Sequence, residues 1–381
     1  MSALTRRQIL LGGTALAAVG LIPAIPKTPL TPAMRLMQSA LADDIARPDY
    51  MIRLSANENP YGPARVALKA INDNMHLANR YSGDDPRPLI SVVAGINNVA
   101  TENVVVGTGS SEILKVAGMI AARNNGSIVC ADPTYQSLLE YAENAGAEII
   151  RVPVNESMNA DLDAMRAAVR DDTDMVYLVN PNNPIPTVIE KNAMRRFVLE
   201  MAQDRLVFVD EAYHEYVDNP DYESMIGLIS EGHKNIIVSR TASKIHGLAG
   251  LRIGFGFAHP DQAAEMNRIK TGEAHVLALE AAHASYLDPE FPAFAIRKNK
   301  ESKKIVADMC EELELRYIKS NANFTFIETG MQNSMVQEKM REFGILTGRD
   351  FPPFHDSWTR VSMSKPEEMR YFVQVYKQLF A

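Results

Sequence analysis

The chain contains, at residues 239–257, the stretch Ser239-Arg-Thr-Ala-Ser-Lys-Ile-His-Gly-Leu-Ala-Gly-Leu-Arg-Ile-Gly-Phe-Gly-Phe257, in which one lysine lies among hydroxyl residues and glycines. Thr241 and Ser243 flank Lys244, and Arg252 follows eight positions later. A lysine that forms a Schiff base must be partly desolvated, so that its neutral amine is accessible near neutral pH. Hydroxyls, backbone N–H groups and an arginine can hold a phosphate beside it. The stretch indicates either a lysine that holds a phosphate-bearing carbonyl cofactor or an ordinary glycine-rich loop.

Upstream of this stretch, short β-rich runs alternate with helical segments from about residue 90. The alternation predicts an α/β fold, in which helices cover both faces of a mostly parallel sheet. In such sheets the chemistry lies at the carboxyl ends of the strands. The polar clusters fall at the predicted strand ends: Gly107–Glu112, Asp132–Tyr135, Asn180–Asn183, Asp210–Tyr213 and Ser239–Lys244.

After Ala258 the composition changes to a mixture of long helices and a few strands, which predicts a smaller α+β domain. We predict an N-terminal segment joining the small domain at residues 43–80, a large domain at residues 81–265 and the small C-terminal domain at residues 266–381. A long helix is predicted over Asp261–Ala284.

Composition narrows the classes of partner. The 381 residues carry a net charge of −8 without an extended basic run, which disfavours nucleic acid. The two cysteines, Cys130 and Cys310, are far apart, so neither a disulfide framework nor a metal site is predicted. A single bridge between them stays open.

The N-terminus has the features of an export signal. Arg6 and Arg7 precede a mild apolar stretch from Gly12 to Ile25. This arrangement is similar to a twin-arginine signal, and the apolar stretch is too short for a comfortable membrane span. We therefore predict that residues 1–42 are an export signal and linker and that the protein is periplasmic. It would be cytoplasmic if this interpretation is wrong.

Each strand-end cluster offers a group that a flat, phosphorylated cofactor needs. Asp210 ends an apolar strand, where its carboxylate can either pair with a protonated pyridine nitrogen or cap a helix. Asn183 lies in a proline-fixed turn and can donate to a phenolic oxygen. The glycines before Ser110 open a helix whose N–H groups can hold a phosphate. Tyr135 can stack on a ring or pack in the core.

Together these pieces resemble the fold-type-I pyridoxal-phosphate enzymes, the class I/II aminotransferases, and most closely the histidinol-phosphate aminotransferase branch. The resemblance runs from about Leu54 to the C-terminus. It rests on these motifs: Ser55-Ala-Asn-Glu-Asn-Pro-Tyr-Gly-Pro63, Gly109-Ser-Ser-Glu112, Pro133-Thr-Tyr135, Asn182-Asn-Pro184, Asp210-Glu-Ala-Tyr213 and Ser243-Lys through Gly247-Leu-Ala-Gly-Leu-Arg252. It implies a seven-stranded type of large sheet and a homodimer with shared active sites.

The resemblance also implies roles for individual residues. Lys244 forms the Schiff base with pyridoxal 5'-phosphate and moves the proton. Asp210 pairs with the pyridine nitrogen, and Asn183 and Tyr213 hydrogen-bond the phenolic oxygen. The remaining implied contacts are Tyr135 on the ring; Ser110, Ser111, Thr241, Ser243 and Arg252 at the phosphate; Tyr81 at the phosphate of the neighbouring subunit; and Arg360, Arg349 and Asn59 at the substrate.

The implied activity is an exported aminotransferase that moves an amino group between an amino acid or amine and a 2-oxo acid by a ping-pong mechanism. Two departures from the family pattern are expected close to the cofactor: Ile185-Pro186 after Asn-Asn-Pro, and His246 two positions after the lysine. They favour, as an alternative, an oxidase, lyase, racemase or decarboxylase on the same scaffold. A non-catalytic binding protein is the third hypothesis. The export signal argues against histidine biosynthesis.

Overall fold

The computed structural model describes residues 47–82 and 87–380. The predicted export signal at residues 1–42 lies outside the described residues. Within the described ranges, no helix has the length and apolar character needed to cross a membrane.

Helices and strands alternate through most of the chain. The strands are β1 (Ile52–Arg53), β2 (Val104–Thr108), β3 (Ser127–Asp132), β4 (Glu148–Pro153), β5 (Thr173–Val179), β6 (Leu206–Asp210), β7 (Ile236–Thr241), β8 (Ile253–Ala258), β9 (Phe324–Glu328), β10 (Ile345–Leu346) and β11 (Trp358–Ser362). The helices are α1 (Arg65–Asp73), α2 (Arg87–Asn97), α3 (Ser110–Ala121), α4 (Ser137–Asn144), α5 (Leu162–Ala168), α6 (Lys191–Met201), α7 (Ile226–Ser230), α8 (Pro260–Ile269), α9 (Val276–Tyr286), α10 (Glu290–Glu312), α11 (Asn333–Glu342) and α12 (Pro366–Phe380).

The large sheet has seven strands in the order β2-β8-β7-β6-β5-β3-β4. Strand β8 runs antiparallel to both of its neighbours, and the other pairings are parallel. The predicted mostly parallel sheet of seven strands is therefore confirmed. Strand β8 itself was not predicted. Its Gly254 explains the close packing there, because a Cβ at this position would lie 2.0 Å from the Ser110 nitrogen at the start of α3.

Apolar side chains from both faces of this sheet pack under helices. Helix α9 belongs to one of these layers, since Ala278 and Ala282 pack in the same cluster as Val93 and Phe255. This packing ties α9 to the large sheet, although it follows the boundary predicted at residue 265. The predicted long helix over residues 261–284 is wrong: it is divided into α8 and α9, because Gly272 turns back so that its N–H donates to the Glu112 carboxylate (2.6 Å).

A second layer contains the antiparallel pair β9–β11 and the parallel pair β1–β10, packed with α10, α11 and α12. Strand β1 thus attaches the N-terminal segment to the C-terminal part of the chain. Cys310 lies in this core and Cys130 in the core of the large sheet, and both thiols are free. The disulfide that the sequence left open does not form.

Candidate active site

The carboxyl ends of the large sheet open into a cavity of about 490 Å³. Most of the side chains that the sequence singled out line it. These are Ser110, Ser111, Tyr135, Asn183, Asp210, Tyr213, Thr241, Ser243, Lys244, Arg252, Arg349 and Arg360. Because most strands of the sheet run in the same direction, residues far apart in the chain meet at one edge of the sheet, as the strand-end clusters predicted.

One end of the cavity is built to hold an anion. Helix α3 begins at Ser110, and Arg252 donates hydrogen bonds to the Ser111 hydroxyl (3.2 Å) and the Ser243 hydroxyl (3.4 Å). Gly109 has φ 79°, and a Cβ there would lie 2.2 Å from the Arg252 guanidinium. Only glycine lets the guanidinium reach the positive end of the helix. Among the described residues, no carboxylate pairs with Arg252, so hydroxyls, helix N–H groups and one cation are available to a phosphate.

Lys244 lies in the same cavity, half-buried, and its ammonium donates to the Ala56 carbonyl (3.3 Å). Burial, reinforced by the Arg360 charge, lowers the pKa of Lys244 to about 8. About one tenth of this amine is therefore neutral at pH 7, far more than for an ordinary lysine, and a Schiff-base lysine requires such a neutral form.

Asp210 is the acid of the cavity, and its side chain is 2% exposed. One carboxylate oxygen, Oδ1, accepts hydrogen bonds from the Ser239 hydroxyl (2.9 Å) and the Ala212 N–H (3.2 Å). The other oxygen accepts none from the described residues. Burial raises the pKa of Asp210 to about 6. A cationic ring nitrogen is a fitting partner for the second oxygen, because it would relieve this desolvation cost.

Tyr213 and Asn183 line the same cavity as Asp210. The Asn183 amide nitrogen is 3.5 Å from the Tyr213 hydroxyl, and its oxygen accepts a hydrogen bond from Arg360 (2.7 Å). Burial raises the pKa of Tyr213, so its hydroxyl stays protonated. Half-buried Tyr135 completes the wall of the cavity.

Arg360 and Arg349, which the sequence assigned to the substrate, both line the cavity. Each guanidinium lies over the ring of Phe351, with its carbon 4.7 Å from the ring centroid. Arg360 is 6% exposed, and burial lowers its pKa to about 10. Its Nε and the hydroxyl of neighbouring Thr347 are buried without a hydrogen-bond partner. A buried cation without a carboxylate partner among the described residues marks a position for an acidic group.

Two predicted residues lie elsewhere. Asn59 is absent from the cavity lining; its amide nitrogen donates to the Ile245 carbonyl (2.8 Å) and its oxygen accepts from the Tyr61 N–H (3.1 Å). Both polar ends are thus used to attach the N-terminal segment beside Lys244. The structure does not bring Asn59 into the cavity lining, and its substrate contact stays a prediction. Tyr81 is 93% exposed and lies outside its own chain's cavity.

The two departures from the family pattern also lie outside the cavity lining. The His246 ring is buried, stacks on Tyr286 with centroids 4.0 Å apart and hydrogen-bonds the Ser285 hydroxyl (2.9 Å). Ile185 is fully buried in the cluster that contains Phe326. The expectation that these residues sit close to the cofactor is therefore corrected, and with it the main reason to favour a different reaction.

Three contributors, one residue and one ion pair, were missed from the sequence. Asn57 lines the cavity and donates to the Tyr213 hydroxyl (3.0 Å); the Ser-Ala-Asn-Glu-Asn-Pro motif was the available signal. Glu211 and Arg240 form a buried ion pair (2.9 Å), and Glu211 also accepts from the Met225 N–H (2.7 Å). The pair braces the ends of β6 and β7, which carry Asp210 and the residues before Lys244.

The anion cradle, the desolvated lysine and the buried acid at one sheet edge define the class of protein: a fold-type-I pyridoxal-phosphate enzyme. The chain belongs to the class I and II aminotransferase family, whose pattern matches residues 49–375. It is a pyridoxal-phosphate-dependent aminotransferase, and the suspected relationship and cofactor are confirmed.

Several known proteins are similar to this chain over most of its length. The histidinol-phosphate aminotransferases of Moorella thermoacetica and Akkermansia muciniphila are each 31% identical over 87% of this chain, which corresponds to 86% and 91% of their own lengths. The crystal structure of the histidinol-phosphate aminotransferase from Sinorhizobium meliloti in complex with pyridoxal-5'-phosphate is 25% identical, with a TM-score of 0.79, over 93% of this chain and 99% of that one.

Proposed function

We propose that this aminotransferase moves an amino group between an amino acid or amine that carries an acidic group and a 2-oxo acid. Donor and acceptor would use the same cavity in turn, which is ping-pong catalysis. The support is that one reactive amine, Lys244, and one acid-binding arginine, Arg360, line a single cavity.

The proposal rests on one observation: Arg360 is a buried cation without a carboxylate partner among the described residues. Its guanidinium is buried, and no carboxylate of the described residues pairs with it; its hydrogen bonds go to the Asn183 side chain and the Ser55 carbonyl. A buried charge without a counter-ion costs several kcal/mol. A carboxylate or phosphate on the substrate would offset this cost. Both half-reactions involve such a group, which explains how one arginine serves donor and acceptor.

In this proposal the residues of the cavity have separate roles in the reaction. When bound, pyridoxal phosphate supplies the carbonyl that exchanges the amino group and a ring that delocalises the electrons of the broken Cα–H bond. Lys244 holds and moves the proton, because its pKa of about 8 lets it give and take a proton near neutral pH. Arg360 orients the substrate, and the Arg252 cradle fixes the phosphate.

Arg349 bears on the choice of donor. Arg349 is exposed and lines the cavity, its guanidinium lies over the Phe351 ring, and it has no acidic partner among the described residues. A second cation suits a donor with more than one negative charge, such as a phosphate ester or a dicarboxylate. Histidinol phosphate, the substrate in the names of the relatives, and glutamate are both of this chemistry.

The half-reactions give a direct test. We expect the visible absorption of the purified, cofactor-loaded protein to bleach when one donor, such as glutamate or histidinol phosphate, is added under air. The band should return only when a 2-oxo acid is supplied. Absorbance and dissolved oxygen are recorded together. A band that recovers without an acceptor while oxygen is consumed would instead support the oxidase alternative.

The control uses arginine variants. Arg360→Gln should retain the cofactor band, while the donor concentration needed for bleaching rises by about 10²-fold or more, because a charge-assisted contact is lost. Arg316→Gln changes an exposed arginine that lies over the Trp358 ring on the same layer, and it should behave like the unaltered chain.

We also propose a homodimer with shared active sites. The support is that Tyr81 matches, in the family resemblance, the tyrosine that contacts the neighbouring subunit, and that it is almost fully exposed in the single chain. The tyrosine would reach the phosphate of the neighbouring subunit. A sedimentation measurement that gives the mass of one chain, 42.2 kDa, for the active enzyme would exclude this arrangement.

We further propose that the protein is exported to the periplasm. The support is the pair Arg6 and Arg7 ahead of the apolar residues 12–25. A bacterial host that expresses the chain from residue 1 should contain the protein in its periplasmic fraction, and a chain with both arginines changed to lysine should stay in the cytoplasm. Equal distribution of the two chains would contradict the proposal.

A further inference from the structure

The Tyr213 hydroxyl receives two amide donors whose orientations are fixed by other groups. Arg360 can only donate, so its hydrogen bond to the Asn183 side chain must meet the amide oxygen (2.7 Å). The Asn183 nitrogen then faces the Tyr213 hydroxyl at 3.5 Å.

Asn57 is oriented in the same way by Ser362. The Ser362 hydroxyl accepts a hydrogen bond from the Asn57 backbone N–H (2.9 Å) and donates one to the Asn57 side-chain oxygen (2.7 Å). This contact occupies the amide oxygen of Asn57. The Asn57 nitrogen is left facing the Tyr213 hydroxyl, at 3.0 Å.

A tyrosine hydroxyl has two lone pairs and one proton. Both lone pairs of Tyr213 face amide donors, and no acceptor among the described residues takes its proton. We propose that Asn57 is a positioning residue. Because it donates to the Tyr213 hydroxyl, the proton of that hydroxyl points into the cavity, where the phenolic oxygen of pyridoxal phosphate would accept it. This inference rests on the cofactor and not on the proposed substrates.

The position of Asn57 is held from the C-terminal layer. Its side chain is 1% exposed, its φ is 54°, and its carbonyl accepts from the Asn323 amide (3.0 Å). Ser362 ends β11, whereas Tyr213 follows β6 of the large sheet. Asn57 therefore links the layer that carries Arg360 to the hydroxyl that faces the cofactor.

The test is a pH titration of the cofactor absorption in the holoenzyme without substrate. A hydrogen bond to the ionised phenolic oxygen favours that form, so weakening it raises the pH midpoint of the absorption change. Asn57→Gly removes the amide and keeps a residue that tolerates positive φ. We expect its midpoint to rise by about 0.5–1 unit. Asn57→Asp, whose carboxylate would accept the Tyr213 proton, should give a larger rise.

The matched control is Asn98→Gly. Asn98 also has positive φ (52°), is exposed and lies away from the cavity, so its replacement should leave the midpoint unchanged. Unshifted midpoints in both Asn57 variants would overturn the proposal, whatever happens to kcat. An unaltered protein that shows no cofactor band at all would overturn the cofactor assignment together with it.

Discussion

Replacing Lys244 with alanine is expected to lower kcat by about 10⁴-fold or more, because one change removes both the nucleophilic amine and the group that moves the proton. The pKa of about 8 makes Lys244 suited to both tasks. The cavity itself should persist, since its anion cradle does not depend on this side chain. The measurement is kcat with the best donor, together with the visible spectrum.

Lys303 provides the control for a lysine of similar pKa. Burial also lowers the pKa of Lys303 to about 8, but its ammonium donates to the Ser320 carbonyl (2.9 Å) outside the cavity lining. Lys303→Ala should keep its kcat within a few-fold of the unaltered enzyme. If Lys244→Ala kept kcat within tenfold while binding the cofactor, Lys244 would not be the reactive amine.

The strand-end clusters were predictable because the parallel sheet imposes a simple rule. Each buried strand appears in the sequence as a short apolar run. Since the carboxyl ends of parallel strands meet at one edge of the sheet, the polar residues that follow these runs lie together there. Asp210 and Lys244 meet for this reason, without any knowledge of their side-chain contacts. The motif resemblance then supplied the roles that geometry alone left open.

Other features depend on contacts that local sequence does not show. Strand β8 carries glycines at alternate positions, which weaken the strand signal, and Gly254 is needed because α3 packs directly on it. The orientation of Asn57 depends on Ser362, 305 positions away. His246 was expected near the cofactor because it follows Lys244 closely, but the chain turns at Gly247 (φ 67°) and the ring points to α9. Although His246 is only two positions from Lys244 in the sequence, its side chain does not line the cavity.

Asp210→Asn should separate catalysis from stability, because its two expected effects have opposite signs. The asparagine oxygen can still accept from Ser239 and the Ala212 N–H, so the local structure is kept. The negative charge that would pair with the cofactor's ring nitrogen is lost. We expect kcat to fall by about 10²- to 10³-fold, as for the loss of one member of a buried charge pair.

The stability of the cofactor-free protein should change in the other direction. The pKa of Asp210 is about 6 in the folded protein and about 3.9 in an unfolded chain. The contribution of Asp210 to the free energy of unfolding is therefore fully present below pH ~4 and is lost as the pH rises through about 6. At pH 7 the buried carboxylate is ionised and costs folding free energy. Asp210→Asn removes that cost, and the Tm of the cofactor-free variant should exceed that of the unaltered protein at pH 7 but not at pH 4. A Tm that falls at pH 7 would mean that the carboxylate stabilises the fold itself. Higher Tm combined with lower kcat would show that Asp210 is kept, at a cost to the empty cavity, for the charge it presents to the cofactor.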